Sequence, residues 1–141
     1  MTSQQFENLV DIGQLKPELG DPAEFNGLVG SGRVRLRDAH LDSLSLESRF
    51  DLAYNAAHAL SLAALRWNGY RSDNRYIVFQ FLPHTLGVDA KIWRVLAHCH
   101  SVRNRGEYEG LLDINQQLIS DLIEAAEAVL AAIEKLGPIP L

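Results

Sequence analysis

The side chain in this sequence whose type and place most invite chemistry is Arg103, in the stretch Val102-Arg103-Asn104-Arg105-Gly106-Glu107-Tyr108-Glu109-Gly110. With Ile92 as the origin of a helical stripe at about 100° per residue, Val95, Leu96, Cys99 and Val102 fall within about 80° of it, and Arg103 within about 20°. Arg103 is therefore expected to point inward or into a groove, where the pattern asks for an apolar residue. A guanidinium keeps its charge at any ordinary pH, so such a position requires a carboxylate, a set of carbonyls or an anionic ligand such as a phosphate. Glu47 and Asp51, one turn apart, are candidate partners for Arg103 or Arg49, and are equally at home on a solvated surface.

Other groups need weighing against plainer roles. His98-Cys99-His100 has metal-binding residue types, but positions two apart on a helix diverge by about 200° and cannot chelate one ion, so no metal site is expected. Cys99 falls in the apolar stripe, where burial disfavours a reactive thiolate. One of the flanking histidines is expected to line a groove near Arg103. His58 lies among alanines, where bonding to a backbone carbonyl or to Tyr54 is commoner than base catalysis. Arg66, Arg71 and Arg75 with Tyr70 and Tyr76 form a basic, aromatic-interleaved corner able to hold RNA, although a solvated loop explains it more simply. Gly30-Ser31-Gly32 has no strand before it, so a close helix crossing or a kink explains it at least as well as a phosphate loop.

The elements that must position these residues are helical. Residues 1–20, with Gly13, Pro17 and Gly20, read as an N-terminal arm containing one short helical turn, and 21–141 as a single bundle domain. Asp21-Pro22-Ala23-Glu24 is a capping box opening a helix that runs to about Leu41 or Ser43, with Leu28, Leu36 and Ala39 inward. Ser43 to Ser48 supplies the next cap. Phe50, Ala53, Tyr54, Ala57, Leu60, Ala64 and Trp67 then recur at threes and fours in a central helix over 46–68, closed by Gly69. The aromatic run 74–82 is expected to be a third helix disturbed at Pro83, since a lone strand would leave its backbone unpaired. Asp89 caps a fourth helix over 90–105. Asp113 and Gln116 form a capping box for a final helix ending before Gly137.

Composition sets limits on function. At 141 residues and 47% hydrophobic the chain fits one domain with one core. A net charge of −5 argues against broad, nonspecific adhesion to nucleic acid or anionic membrane, but leaves a local arginine-lined groove open to RNA or nucleotide. Cys99 is the single cysteine, Met1 to Asp11 lacks a secretory pattern, and Leu52 to Trp67 is interrupted by polar residues. A cytoplasmic protein without a membrane partner is expected.

The helix beginning Arg49-Phe50-Asp51-Leu52-Ala53-Tyr54-Asn55-Ala56-Ala57-His58-Ala59-Leu60, the Gly69-Tyr70 break, the aromatic helix and the run Val102 to Gly110 together resemble the HEPN superfamily, over about residues 22–136. The resemblance implies an all-α, up-and-down bundle of four to five helices that pairs as a homodimer. Many such domains are metal-independent endoribonucleases or toxins of toxin-antitoxin pairs, so RNA, a nucleotide, an antitoxin or a nucleotidyltransferase are the implied partners; no cofactor is implied. The family's hallmark is an arginine, commonly followed by a polar residue, with a histidine four to six residues later. Arg103 and Asn104 match the first part. The histidine is missing: Tyr108, Glu109 and Gly110 occupy the window. In-line attack by a ribose 2′-hydroxyl needs a group that exchanges a proton near neutral pH, which histidine does and tyrosine does not. The expectation is a noncatalytic protein that binds RNA, nucleotide or a protein partner around Arg103, with His100 and Glu107 as further ligand-binding candidates. The competing reading is an active ribonuclease in which Arg103 holds the phosphate, Asn104 orients, and Tyr108 or His100 handles protons. A third has Arg103 locked by Glu107 or Asp51 in a dimeric interaction scaffold.

Overall fold

Polar residues with short side chains punctuate the chain, and each starts a helix by accepting from a backbone amide that has no partner inside it. In a computed structural model, which describes residues 3–140, Asp21 caps α2 (Pro22–Ala39), Ser45 caps α3 (Leu46–Trp67), Asn74 caps α4 (Arg75–Gln80), Asp89 caps α6 (Ala90–Glu109) and Asn115 caps α7 (Gln116–Ile133). A four-residue helix, α5 (Leu82–Thr85), follows α4, and α1 (Ser3–Asp11) precedes the first cap. Among the described residues the regular structure is all-helical apart from one antiparallel pair of two-residue strands, β1 (Lys16–Pro17) and β2 (Tyr70–Arg71).

The four long helices run up, down, up, down. Gly32 meets Leu60, and Arg49 meets the Ala39 carbonyl, which makes α2 and α3 antiparallel. Tyr54 meets His100 across an antiparallel α3 and α6. Arg33 with Glu134 and His40 with Glu127 set α7 antiparallel to α2. α3 is central because alanines at 53, 56, 57, 63 and 64, all fully buried, let neighbours approach from several sides.

Several boundaries differ from the sequence reading. The aromatic run is helical and breaks near Pro83 as expected, into α4 and α5. The cap of α7 is Asn115, which accepts from Leu118 N at 2.8 Å, and not Asp113. α6 continues through Gly106 to Glu109 and stops at Gly110, whose φ of 71° is left-handed. Gly106 is kept within the helix by packing: a Cβ there would stand 3.1 Å from the Leu112 side chain. Glu24 does not close a capping box, because its carboxylate is turned to two arginines.

The N-terminal arm is more than one turn. α1 lays Phe6 in a second small core, stacked on Tyr70 at 4.5 Å and edge-on to Phe81 at 4.9 Å, with Leu15, Leu65 and Val78 around it. The basic corner is corrected here. Arg66 is 2% exposed and donates to Glu24 Oε1 at 2.6 Å and to the carbonyls of Glu18, Leu19 and Tyr70 at 2.7, 2.8 and 3.3 Å. Arg71 bonds both Glu18 and Glu24. These two guanidiniums hold the arm to the body and are not offered to RNA.

Two outcomes follow from these contacts. The Arg71 hydrogen bond holds the Glu18 carboxyl below its ordinary 4.5, and those of Arg66 and Arg71 do the same for Glu24. Depressed carboxylate pKa values confer stability that is present above 4.5 and lost as pH falls through the folded-state values. Glu24→Gln should therefore flatten the acid limb of a plot of unfolding free energy against pH; an unchanged limb would show the network to be thermodynamically idle. Gly30 has open space around its Cα, whereas a Cβ on Gly32 would lie 2.6 Å from buried Leu60. Gly30→Ala should stabilise by up to about 1 kcal/mol and Gly32→Ala should destabilise, by about 1–3 kcal/mol before the gain in helix propensity, both read from denaturant midpoints.

Candidate functional site

α3 and α6 lie side by side, and Glu47, Phe50 and Asp51 of α3 with Arg103, Gly106 and Glu107 of α6 line a groove between them. Glu47, Asp51, Tyr54, Asn55 and His58 recur on α3 at helical spacing, and His100, Arg103, Asn104 and Glu107 on α6. Arg103 points into this groove, as its place on the apolar stripe requires. Its Nη2 lies 2.9 Å from Glu107 Oε1, and its guanidinium stands 5.1 Å from the centre of the Tyr54 ring. Glu107 is half-exposed, so this is an i,i+4 ion pair in contact with water, worth about 0.3–0.5 kcal/mol. Arg103 is therefore only loosely committed to its internal partner.

On one side of Arg103 the groove opens into a cleft of about 470 Å³, lined by Glu47, Asp51, Phe50, Gly106, Glu107 and Leu112 among others. Glu47 and Asp51 border it without pairing to Arg103 or to Arg49. Arg49 instead donates to the Ala39 carbonyl at 2.8 Å and faces Gln116 and Asp42. This side of the groove is acidic.

The other side is positive. Tyr54 is fully buried, and its hydroxyl lies 2.8 Å from His100 Nδ1, while His100 Nε2 lies 3.2 Å from Asn104 Nδ2. With the amide placed as a donor, Nε2 accepts from Asn104 and Nδ1–H donates to the Tyr54 oxygen, the pattern of a neutral ring. Burial first, then the charges of Arg103 and Arg75, hold the His100 pKa below its usual range against a weaker pull from Glu107. Arg75, from the first turn of α4, stands 5.6 Å from the same Tyr54 ring centre. His58 packs edge-on to Phe79 at 6.1 Å, and burial, with Arg75, Arg103 and His100 adding to it, pushes its pKa down to about 4. It does not bond Tyr54, which His100 has taken.

The expected site residues thus separate. Arg103, Asn104, His100 and Glu107 are brought together, with Asn104 orienting His100. Tyr108 is 86% exposed and is not among the residues lining the cleft. His98 faces a separate small cavity with Val102, Arg105, Leu111 and Asp113. Burial, aided by Asp121, pushes the Cys99 thiol up to about 12, so it stays protonated. Sequence reasoning missed Tyr54 as the hub and Arg75 as part of this site. The signal for Tyr54 was present, since it shares a helical face with Asp51 and His58; nothing local tied Arg75 to Arg103. No protein-family model, curated protein or solved structure matches the chain.

If the arginines set the histidine protonation, removing one should be visible. Arg103→Gln is expected to raise the midpoints of both His100 and His58 in an NMR titration, because a nearby positive charge disfavours the imidazolium. Stability linked to neutral His58 should be complete above pH 6.5 and fall away towards pH 4. Midpoints that stay put in the variant would mean that burial alone governs both rings.

Proposed function

We propose that this chain is a HEPN-like homodimeric bundle that binds RNA phosphate at Arg103 without efficient cleavage. The observation that carries the reading is the state of Arg103: a half-buried guanidinium at the mouth of a groove, over an aromatic ring, whose one carboxylate partner is half-exposed and displaceable. A phosphate oxygen replacing Glu107 would gain a charge-assisted bond from a group already positioned by Tyr54. A structural ion pair sealed in the core would lack this access.

The arrangement also speaks to catalysis. Tyr108 stands in solvent, and both His100 nitrogens are engaged, by Tyr54 and Asn104, so neither is free to take a proton from a ribose hydroxyl. One feature favours the ribonuclease reading: burial and the charge of nearby Arg103 lower the His100 pKa, which favours the neutral form a general base requires. The reading of an interaction scaffold predicts no RNA affinity at all.

A single experiment separates them. Wild type and Arg103→Ala, both checked for folding and for dimerisation by light scattering, are incubated with total and transfer RNA in chelator and titrated with labelled single-stranded RNA. Binding by the wild type, about ten- to hundredfold weaker in the variant, with intact RNA throughout, is expected. Few phosphates are engaged, so the slope of log affinity against log salt should be shallow, about −1 to −2. Cleavage by the wild type alone would establish an enzyme. Equal, negligible binding by both proteins would sink the RNA reading.

A further inference from the structure

Of the two arginines that face Tyr54, Arg103 is paired with Glu107 and Arg75 meets no carboxylate directly. Among the described residues Arg75 has no ion-pair partner: its Nη1 reaches Asn55 Oδ1 at 3.5 Å, and its guanidinium otherwise lies against the Tyr54 ring. Asn55 cannot offset that charge, and its own amide is turned to the Asp51 carbonyl and carboxylate at 2.8 and 3.3 Å. His58, half-buried beside Arg75, makes no hydrogen bond to protein among the described residues; its recorded contact is edge-on to Phe79. An unpaired guanidinium therefore faces the same Tyr54 ring as Arg103, and an unbonded imidazole packs on Phe79, which itself meets Tyr54 edge-on.

We propose that Arg75, His58 and Arg103 form a subsite for a phosphate monoester dianion, the terminal phosphate of an RNA strand or of a nucleotide. This rests on the reading of Arg103 as a phosphate ligand and specifies which phosphate it takes. Charge balance favours the monoester. A diester carries one negative charge and leaves one guanidinium unanswered, whereas a monoester carries about −1.5 to −2 near neutral pH and answers both. Its third oxygen can accept from His58, whose neutral ring retains one N–H. The other end of the groove gives a second reason. A strand continuing along it would pass Glu47, Asp51 and Glu107, three carboxylates that repel a phosphodiester backbone, while a terminal phosphate ends at the arginines and its chain leaves towards solvent.

The test uses the full chain and a short labelled oligoribonucleotide carrying a phosphate at its 5′ end, its 3′ end or neither, with AMP, adenosine and inorganic phosphate as competitors. A terminal phosphate at one end is expected to tighten binding about tenfold, the worth of one added charge-assisted contact. Arg75→Gln should erase that gain, His58→Gln should reduce it, and Arg75→Lys should keep part of it. Arg35→Gln, a change of equal charge on the exposed face of α2, should leave it intact. Circular dichroism confirms each fold; should Arg75→Gln fail to fold, His58→Gln is read in its place. Equal affinity for all three oligonucleotides, or a gain that survives the Arg75 and His58 variants, overturns the proposal. In that case binding that still depends on Arg103 leaves the RNA reading standing. AMP and phosphate bound through Arg75, with no affinity for RNA of any kind, would uphold the subsite and remove the RNA reading; no binding of any probe removes both.

Discussion

A charged guanidinium in the interior dictates how the ends of this bundle are held. Arg66 is among the most buried side chains of the molecule, and its charge cannot be shed. Its N–H groups must all find acceptors, and they find them on three segments: the Glu24 carboxylate at the start of α2, the carbonyls of Glu18 and Leu19 in the arm, and the carbonyl of Tyr70 in β2. Gly20 is part of the same arrangement, since a Cβ there would press on the Arg66 carbonyl and on Ile139. Arg71 shares both carboxylates and pairs with Lys16 in the β1–β2 register. α4 begins four residues later, so the network that closes the end of α3 also fixes where Arg75 emerges, and through it the positive side of the groove.

Three arginines of one residue type meet three different ends. Arg66 is enclosed by the arm. Arg49 spends its charge on the Ala39 carbonyl at the end of α2 and on weak contacts to Gln116 and Asp42. Arg103 leans on an aromatic ring and a half-exposed glutamate. Burial alone would rank Arg66 first as a functional residue, and that ranking would mislead: a guanidinium with its donors met internally has nothing left for a ligand. The residue with unfinished bonding at a groove is the better candidate.

Tyr54 organises the groove as Arg66 organises the end. Being wholly buried, its hydroxyl needs a partner, and His100 provides it. Its ring meets both Arg75 and Arg103, a cation–π arrangement that holds two like charges near one another in a partly desolvated place. The cost appears in the imidazoles, both pressed towards neutrality. The groove is thereby polarised along its length, with carboxylates at the Glu47 end and arginines at the Arg75 end.

Sequence alone determined the all-helical architecture, the places where most helices start and the inward face of Arg103, because caps, glycine stops and the 3.6-residue period are local properties of the chain. It left a close crossing, a kink and a phosphate loop open at Gly30 to Gly32, and the approach of Leu60 to Gly32 selects the crossing. It placed the last cap two residues early, since Asp113 and Asn115 are both competent and only packing chooses between them. The length and burial of α1, the enclosure of Arg66 and the meeting of Arg75 with Tyr54 were decided by tertiary structure. Their partners lie tens of residues away: Glu24 is 42 residues from Arg66, and His100 is 46 from Tyr54. An arginine on a helix is locally the same whether it faces water, a carboxylate or a carbonyl cage. Which of these it meets depends on what the rest of the chain brings to it.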